Sequence, residues 1–270
     1  MNTRQKVIVD FVRAEGKCSK IRLTKLLFLV SKKWPMAPKF YSFVPYKLGP
    51  YSFELFHDIE RLESEKILET DAQNVYYTGE DGLTSPLDLI DKAIIQLSDK
   101  ELIDYVYHQY PEFTIFSQIE RRVDYKRDRS GILTIGYEGA SIDDFLFTLV
   151  EEKVEILVDV RNNPWSMKYG FMKNTISSLC EKLGIVYTGM PDLGVPAPIR
   201  NQLKASGDYP RFFRQYGQML PGMAKDIKRL SNLSKRKRIA VMCFEQDPSL
   251  CHRSALGEEL ARLGAEVEFR

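Results

Sequence analysis

The sequence predicts an α/β protein with a mostly parallel sheet and helices on both faces, preceded by a small, mainly helical, winged-helix-like domain. From residue 131 onward, short apolar runs alternate with helical patterns, which is typical of a parallel sheet covered on both faces. Before that, three helical patterns are followed by two short strand patterns, which is the order of a winged helix. We therefore expect a first domain at 1–118, a basic linker at 119–130 and an α/β domain at 131–270.

Composition restricts the class of protein. A chain of 270 residues has room for one large or two medium domains, and its 44% hydrophobic and 28% charged residues describe an ordinary soluble globular protein. No run approaches 18 apolar residues and no signal pattern opens the chain, so we expect no membrane partner. Four cysteines in this length do not suggest a disulfide framework. We expect free thiols and a cytoplasmic protein.

Charge is unevenly distributed although the net charge is only +2. Met1–Lys47 contains 11 Lys and Arg against 2 Asp and Glu, whereas Leu48–Glu120 contains 4 against 16. This asymmetry indicates an electrostatically polarised first half. In the alternative interpretation, the two segments fold together and neutralise each other.

The first two helices carry the basic residues. We expect a first helix from Asn2 or Thr3 to Gly16, and a second from Ser19 or Lys20 to Trp34, ended by Pro35. Beside the apolar arc of the second helix lies a basic arc formed by Arg22, Lys25, Lys32 and Lys33. This arc could contact nucleic-acid phosphates, but a solvated face is the simpler interpretation.

The rest of the first domain alternates short elements. Phe40–Pro45 is predicted as a strand, and Tyr46–Ser52 as a turn in which Ser52 caps the next helix. Ile67–Thr70 and Val75–Thr78 are predicted as two strands. Two further helices are expected, around Leu87–Leu97 and Asp99–Tyr110.

Four segments of this domain are similar to the Panacea (SocA-like) antitoxin-associated domains, which have a "KLxKLLYF … YGP" pattern. They are IRLTKLLF at Ile21–Phe28, YKLGPYS at Tyr46–Ser52, LESEKI at Leu62–Ile67 and YHQYPEF at Tyr107–Phe113. The resemblance covers about the first 115 residues. It implies a small helical regulatory or interaction module and no catalysis.

The second domain begins after the charged segment Ile119–Ser130. Five strands are expected, at Ile132–Ile135, Ile156–Arg161, Ile185–Thr188, Ile239–Phe244 and Glu266–Phe269. Helices are expected after Ser141, from Asn174 to Leu183, late in the long segment Gly189–Leu233, and after Cys251. In open α/β sheets, ligands bind beyond the carboxyl ends of the strands. We therefore expect the polar residues at those ends to share one site.

The strand-end motifs resemble the family called domain of unknown function 488. The shared motifs are Thr134–Tyr137, Asp159–Arg161 with Pro164 and Ser166, Leu193-Gly194, Cys243–Glu245 and Cys251–Arg253. The resemblance spans about residues 132–262 and implies an α/β fold of prokaryotic, cytoplasmic proteins whose reaction is not established. Phe244 replaces the small aliphatic residue or alanine usual in the family's "CAE" string, a difference that affects packing more than chemistry.

The predicted site contains groups for chemistry and groups for binding. The predicted catalytic residues are Cys251, His252, Glu245 and Asp159; the predicted ligand-binding residues are Gly136, Tyr137, Arg161, Ser166, Cys243 and Arg253. A thiol beside basic groups at a helix N-terminus has a lowered pKa and is nucleophilic, and a guanidinium group binds phosphate or carboxylate with two donors. Structural alternatives stay open: buried cysteines act as small hydrophobic residues, and Asp159 and Arg161 could form an ion pair that only holds a loop.

The same residues allow two further functions. Cys243, Glu245, Cys251 and His252 have side chains that zinc accepts, but we expect the adjacent Cys251 and His252 to have difficulty reaching one ion. The sequence therefore predicts no metal and no cofactor. We expect an anion site directed at a nucleotide or nucleic acid. In the alternative function, a non-catalytic sensor or adaptor of a defence or toxin–antitoxin system binds DNA through the first domain.

Overall fold

The computed structural model describes residues 1–33, 41–78 and 91–270. The chain divides into two units, Met1–Tyr125 and Lys126–Arg270. Among the described residues, no helix has both the length and the apolar character needed to cross a membrane. The predicted positions of Trp34, Pro35 and Phe40, and the first part of the helix expected from Leu87, lie outside the described residues.

The first unit combines helices with short strands. Its described helices are α1 (Thr3–Glu15), α2 (Lys20–Lys33), α3 (Phe53–Ser64), α4 (Lys92–Ile95) and α5 (Asp99–Gln109). Its described strands are β1 (Lys17–Ser19), β2 (Val44–Tyr46), β3 (Gly49–Tyr51), β4 (Leu68–Thr70) and β5 (Asn74–Tyr77). The capping boxes at Asn2 and Ser98 and the Ser52 cap fix the starts of α1, α5 and α3.

Two small antiparallel sheets form in this unit. β1 joins β5, and β5 joins β4, in a three-stranded sheet with the order β1-β5-β4. β2 and β3 form a hairpin, so the prediction of a plain turn over Tyr46–Ser52 is wrong: the chain turns only at Lys47 and Leu48. Gly49 has a φ of 84°, and a Cβ at this position would lie 2.6 Å from the Tyr107 ring, so glycine is required there.

The predicted basic arc of α2 is not a common exposed surface. Lys25 is 1% exposed, and its ammonium group donates to the carbonyls of Leu48 and Pro50 in the hairpin. Arg22 is also largely buried and donates to Glu15 and to the carbonyls of Ile95 and Leu97. Arg22 and Lys25 therefore do not form the solvated face expected for this arc, because these two side chains bind acceptors inside the unit.

The other two lysines of the arc, Lys32 and Lys33, are both exposed. The Lys32 ammonium group lies 4.7 Å from the centre of the Phe113 ring, which packs against Phe28.

The second unit alternates strands and helices as predicted. Its strands are β6 (Gly131–Gly136), β7 (Ile156–Asp159), β8 (Val186–Gly189), β9 (Arg238–Cys243) and β10 (Val267–Phe269). Its helices are α6 (Ile142–Glu151), α7 (Lys173–Lys182), α8 (Ala197–Ser206), α9 (Tyr209–Met219), α10 (Ala224–Ser234) and α11 (His252–Arg262). The segment between β8 and β9 thus holds three helices, where the sequence predicts one late helix.

All five strands are parallel, in the order β10-β6-β9-β7-β8. β9 is the central strand, and every one of its residues is buried. Its last residues pair with both neighbours: Cys243 lies opposite Gly136, and Met242 lies opposite Asp159. Across the sheet, the chain runs from β6 through β7 to β8 in one direction and from β9 to β10 in the other. The connections that leave the neighbouring strands β7 and β9 therefore lead in opposite directions, and open α/β sheets bind ligands at such a point.

The basic segment before β6 is engaged with folded structure on both sides of residue 125. Arg122 forms ion pairs with Asp104 and Glu120 in the first unit. In the second unit, Arg127 donates to the carbonyls of Leu183 and Gly184. These contacts differ from a solvated tether.

Candidate functional site

Four chemically able side chains meet where β9 ends and α11 begins. Cys243 is the last residue of β9, Glu245 follows two residues later, Cys251 caps α11 and His252 is its first residue. Cys243, Cys251 and His252 are 6%, 1% and 4% exposed, whereas Glu245 is only half-buried. Glu245 is therefore the most exposed residue of this cluster.

The distances within this cluster are short. His252 Nδ1 lies 3.7 Å from the Cys243 sulfur and 3.8 Å from the Cys251 sulfur. The Cys243 thiol donates to Glu245 Oε2 at 3.4 Å. The two sulfurs and Nδ1 all lie within 4.8 Å of one another, close enough to hold one metal ion.

This geometry differs from the expectation that the adjacent Cys251 and His252 would have difficulty reaching one ion. Cys251 has an extended backbone (φ −123°, ψ 138°), whereas His252 is already helical. Two adjacent residues in a strand point to opposite faces, but the change of backbone conformation at the helix cap breaks that alternation. Both side chains therefore face Cys243.

The electrostatics of the cluster separate the two thiols. The hydrogen bond between the Cys243 and Cys251 thiols and the burial of Cys243 both raise the pKa of the Cys243 thiol. Burial also acts to raise the pKa of Cys251, but hydrogen bonds from Cys243 and His252 and the nearby positive charges outweigh it, so this pKa is lowered. Burial, together with the neighbouring Cys251, raises the pKa of Glu245.

A second polar group lies at the end of the neighbouring strand β7. Arg161 donates to both oxygens of Asp159, at 2.9 Å and 2.6 Å, and to the Tyr137 hydroxyl at 2.9 Å. Tyr187 on β8 donates to the same carboxylate at 2.7 Å. Burial acts to lower the pKa of Arg161, but the hydrogen bonds and the charge of Asp159 outweigh burial, so the pKa of Arg161 is raised. Burial and the hydrogen bond to Asp159 raise the pKa of Tyr187.

Asp159 is 1% exposed and both of its oxygens are engaged. It forms the ion pair that the sequence left as an alternative, and in this arrangement it orients Arg161 and Tyr187. Tyr187 was missed at the level of sequence, although a hydroxyl on the strand next to Asp159 is a usable signal.

Arg253 is fully buried and supports the turn after β9. Its guanidinium group donates to the carbonyls of Glu245, Gln246 and Arg270. Arg161 and Arg253 were predicted to hold an anion together. Both side chains are buried, and Arg161 and the two terminal nitrogens of Arg253 donate to protein acceptors, whereas Arg253 Nε has no hydrogen-bond partner among the described residues.

Gly136 allows a close backbone approach at the site. A Cβ on Gly136 would lie 2.5 Å from the Glu245 carbonyl carbon and 2.8 Å from the Gln246 Cα. Tyr137, predicted to bind a ligand, is 3% exposed; its ring stacks on Phe171 at 4.1 Å and meets the Phe244 ring edge-to-face at 5.3 Å. Gly136 therefore leaves room for the backbone of Glu245 and Gln246, and Tyr137 packs under the residues of the site.

The loop after β7 carries exposed apolar side chains. Trp165 is 60% exposed and Met167 is 88% exposed, and Phe244 at the end of β9 is 45% exposed. Ser166 is half-buried and its hydroxyl accepts from the Lys168 amide, so it stabilises this loop. The Lys168 ammonium group donates to the Tyr137 carbonyl at 3.2 Å, which ties the loop to the end of β6.

Comparisons with known proteins divide the chain. Neither a curated protein nor a solved structure matches it. The expected resemblance of the first 115 residues to Panacea domains is not supported by any match. Residues 141–260, in contrast, match the model of the family described as Domain of unknown function DUF488, which confirms over those residues the resemblance predicted from the strand-end motifs.

Proposed function

We propose that the second unit is an enzyme with its active site at the carboxyl edge of the parallel sheet, acting on a nucleotide or a short nucleic acid. The observation that carries this proposal is the convergence of two thiols, an imidazole and a carboxylate within 3.4 to 3.8 Å of neighbouring partners. Burying polar groups costs free energy that an apolar core would not incur. A cluster of this kind at the switch point of a parallel sheet favours chemistry over packing.

Glu245 is the proposed general acid or base. It is the half-buried member of the cluster, so a substrate can reach its carboxylate while Cys243 holds one oxygen at 3.4 Å. Cys251 and His252 lie behind it and supply the reactive or ligating groups. Asp159 and Arg161 act as positioning residues, since each is engaged with the other and with a tyrosine.

Two features support a nucleotide-like substrate. Phe244 and Trp165 expose aromatic rings on the segments that follow β9 and β7, and exposed aromatic side chains stack on bases. The N-terminus of α11 at His252 favours a negatively charged group through its backbone dipoles.

We also propose that the protein is cytoplasmic. All four cysteines are free, which suits the reducing cytoplasm.

Turnover tests the proposal. The reduced full-length chain is incubated with nucleoside mono-, di- and triphosphates, dinucleotides and short single-stranded DNA and RNA, and products are identified by mass spectrometry. We expect Glu245→Gln to bind the active probe and to lose turnover, because the amide cannot exchange a proton. Glu258→Gln is the matched control, since Glu258 is exposed on α11 and should keep full turnover. Equal turnover by Glu245→Gln and the wild type would refute the assignment.

The alternative function is a sensor or adaptor, and a specific observation in the first unit favours it. The element order α1-β1-α2-β2-β3-α3-β4-β5 with the sheet order β1-β5-β4 supports a winged-helix-like module with a β2–β3 hairpin inserted between α2 and α3, similar to the Panacea domains that its motifs resemble. Its α3, which precedes the β4–β5 ribbon, exposes Glu60, Arg61 and Glu63, and Arg61 is paired with Glu65 just beyond the helix, so the exposed charge of this segment is net acidic. Acidic side chains repel phosphates, so we propose a protein partner for this unit in place of DNA.

A salt titration separates the two partners. We expect no DNA binding by the full chain through the first unit even at low salt. Binding that weakens steeply with added salt, and that Lys33→Ala reduces, would contradict a protein partner and restore the DNA interpretation.

A further inference from the structure

We infer that Cys243, Cys251 and His252 together bind one thiophilic divalent ion of the zinc class, with a fourth coordination position beside Glu245. The inference rests on the proposed function in that it assigns a cofactor to the same site. Three arguments support it: the distances between the ligand atoms, the orientation of the His252 imidazole, and the net charge that the site would have with an ion bound.

The ligand atoms already have the spacing of a tetrahedral zinc site. Zinc–sulfur bonds of about 2.3 Å and zinc–nitrogen bonds of about 2.0–2.1 Å place sulfur and nitrogen about 3.6 Å apart at tetrahedral angles. The two sulfur–Nδ1 distances of 3.7 and 3.8 Å exceed this by no more than about 0.2 Å. Both sulfur–nitrogen distances therefore suit an ion bound between these atoms. The two sulfurs lie within 4.8 Å of each other, against about 3.8 Å in a tetrahedral site, so an ion would draw them together by at most about 1 Å.

The imidazole supports a ligand role. His252 is 4% exposed, its Nδ1 faces both sulfurs, and its Nε2 is buried without a hydrogen-bond partner among the described residues. Its ring lies edge-to-face against Tyr216 at 5.0 Å, and this contact and the two sulfurs surround it. In this orientation Nδ1 is the nitrogen that would donate its lone pair to an ion held between the sulfurs, with the ring proton left on Nε2.

Charge balance favours a divalent ion. Two thiolates and one neutral imidazole around a doubly charged ion have zero net charge, so the occupied site can stay buried without a counter-ion. Thiolate and imidazole ligands select zinc over magnesium or calcium, which prefer oxygen ligands.

The fourth position is open to chemistry. Glu245 Oε2 lies 3.4 Å from the Cys243 sulfur, and the carboxylate is half-exposed. Three protein ligands with an exchangeable fourth position is the arrangement of catalytic zinc sites, whereas structural sites have four protein ligands. Glu245 would then face a metal-bound water or a substrate atom.

Cobalt substitution tests the inference on the full-length, reduced and metal-free chain. We expect one Co²⁺ per chain to produce thiolate-to-cobalt charge-transfer absorption and the intense visible bands of tetrahedral cobalt, and Zn²⁺ to abolish both by displacement. Cys243→Ser, Cys251→Ser and His252→Ala should each weaken binding by more than about 100-fold, since loss of an outer-shell partner alone costs about 10–100-fold. Cys180→Ser is the matched control: Cys180 is a buried free thiol of the same unit, and its replacement should leave the cobalt bands unchanged.

The outcomes separate this inference from the proposed function. A wild-type chain with all four thiols reduced and no cobalt bands overturns the inference, even if turnover is found. Bands that persist at wild-type affinity in Cys251→Ser overturn it as well. A disulfide between Cys243 and Cys251 that forms when dioxygen takes up the two electrons and two protons of the thiols, persists under mild reductant and excludes Co²⁺ would instead assign the pair to redox chemistry and also overturn the inference. Cobalt bands without turnover of any probe leave the metal site standing and reject the proposed enzyme.

Discussion

Gly136→Ala places a methyl group where the sheet and the turn after β9 come closest. The added Cβ would lie 2.5 Å from the carbonyl carbon of Glu245 and 2.8 Å from the Cα of Gln246. Carbon atoms in contact prefer about 3.5–4.0 Å, so the turn must move by about 1 Å or more. That turn carries Glu245, whose Oε2 is held 3.4 Å from the Cys243 sulfur.

Two losses set the magnitude. Overpacking of a tightly packed region costs roughly 1–3 kcal/mol. The same turn accepts hydrogen bonds from Arg253 at the carbonyls of Glu245 and Gln246, and one lost bond to a charged group costs about 1.5–3 kcal/mol. We therefore expect Gly136→Ala to lower the free energy of unfolding of the second unit by about 3 kcal/mol or more.

Native-state hydrogen exchange measures this change locally, which matters because a chain of two units need not unfold in one step. About 3 kcal/mol corresponds to roughly a 100-fold loss of protection in the amides of β9 and α11. Gly217→Ala is the control: Gly217 lies in α9, a Cβ there meets nothing within 4 Å, and helix propensity favours alanine. Wild-type protection in a folded Gly136→Ala chain would refute the close-approach argument.

Further perturbations address the other buried charges. Asp159→Asn should destabilise the second unit by about 3–5 kcal/mol, because it leaves the Arg161 guanidinium without its counter-charge. Tyr187→Phe removes one hydrogen bond to the same carboxylate and should cost about 1 kcal/mol. Urea titration of the two variants measures both losses. Equal losses in the two variants would show that the ion pair is not the main stabilising contact of Asp159. Burial lowers the pKa of Lys25 from its ordinary 10.5 to about 7. Between these two pH values, Lys25 is protonated in the unfolded chain and largely deprotonated in the native chain. The free energy of unfolding of the first unit should therefore increase by up to about 5 kcal/mol as the pH rises from about 7 to about 10. Lys25→Met should remove this slope, and an unchanged pH profile in that variant would sink the assignment.

The sequence was informative wherever one apolar run or one cap decides an element. The five strands of the second unit and the Ser141 cap of α6 were predicted because buried strands and helix starts leave local patterns. The three-residue strand β1 was missed because it is defined only by its partner β5, which lies more than fifty residues away in the chain. Pairing of this kind leaves no local periodicity.

The position of the site was predictable, but the roles of its arginines were not. Parallel strands bring their carboxyl ends to one edge, so Asp159 and Cys243 had to lie near each other once the sheet was assigned. Whether a guanidinium group faces a ligand or a carbonyl depends on loop geometry that no spacing encodes. Arg253 and Lys25 both bind backbone carbonyls of turns, and each reads in the sequence as an available cation.

The residues of the motif Cys251–Arg253 have different roles, which follow from the fold. In the run Cys251-His252-Arg253, the first two side chains face Cys243, whereas Arg253 reaches back to hold the carbonyls of Glu245 and Gln246. Arg253 therefore fixes the backbone of the residue whose carboxylate completes the cluster. Gly136 supports the same turn from the opposite side by leaving no side chain in its way. Cys251 and His252 thus provide the reactive groups. Arg253 and Gly136 set the distance between those groups and Glu245, so the four residues depend on one another.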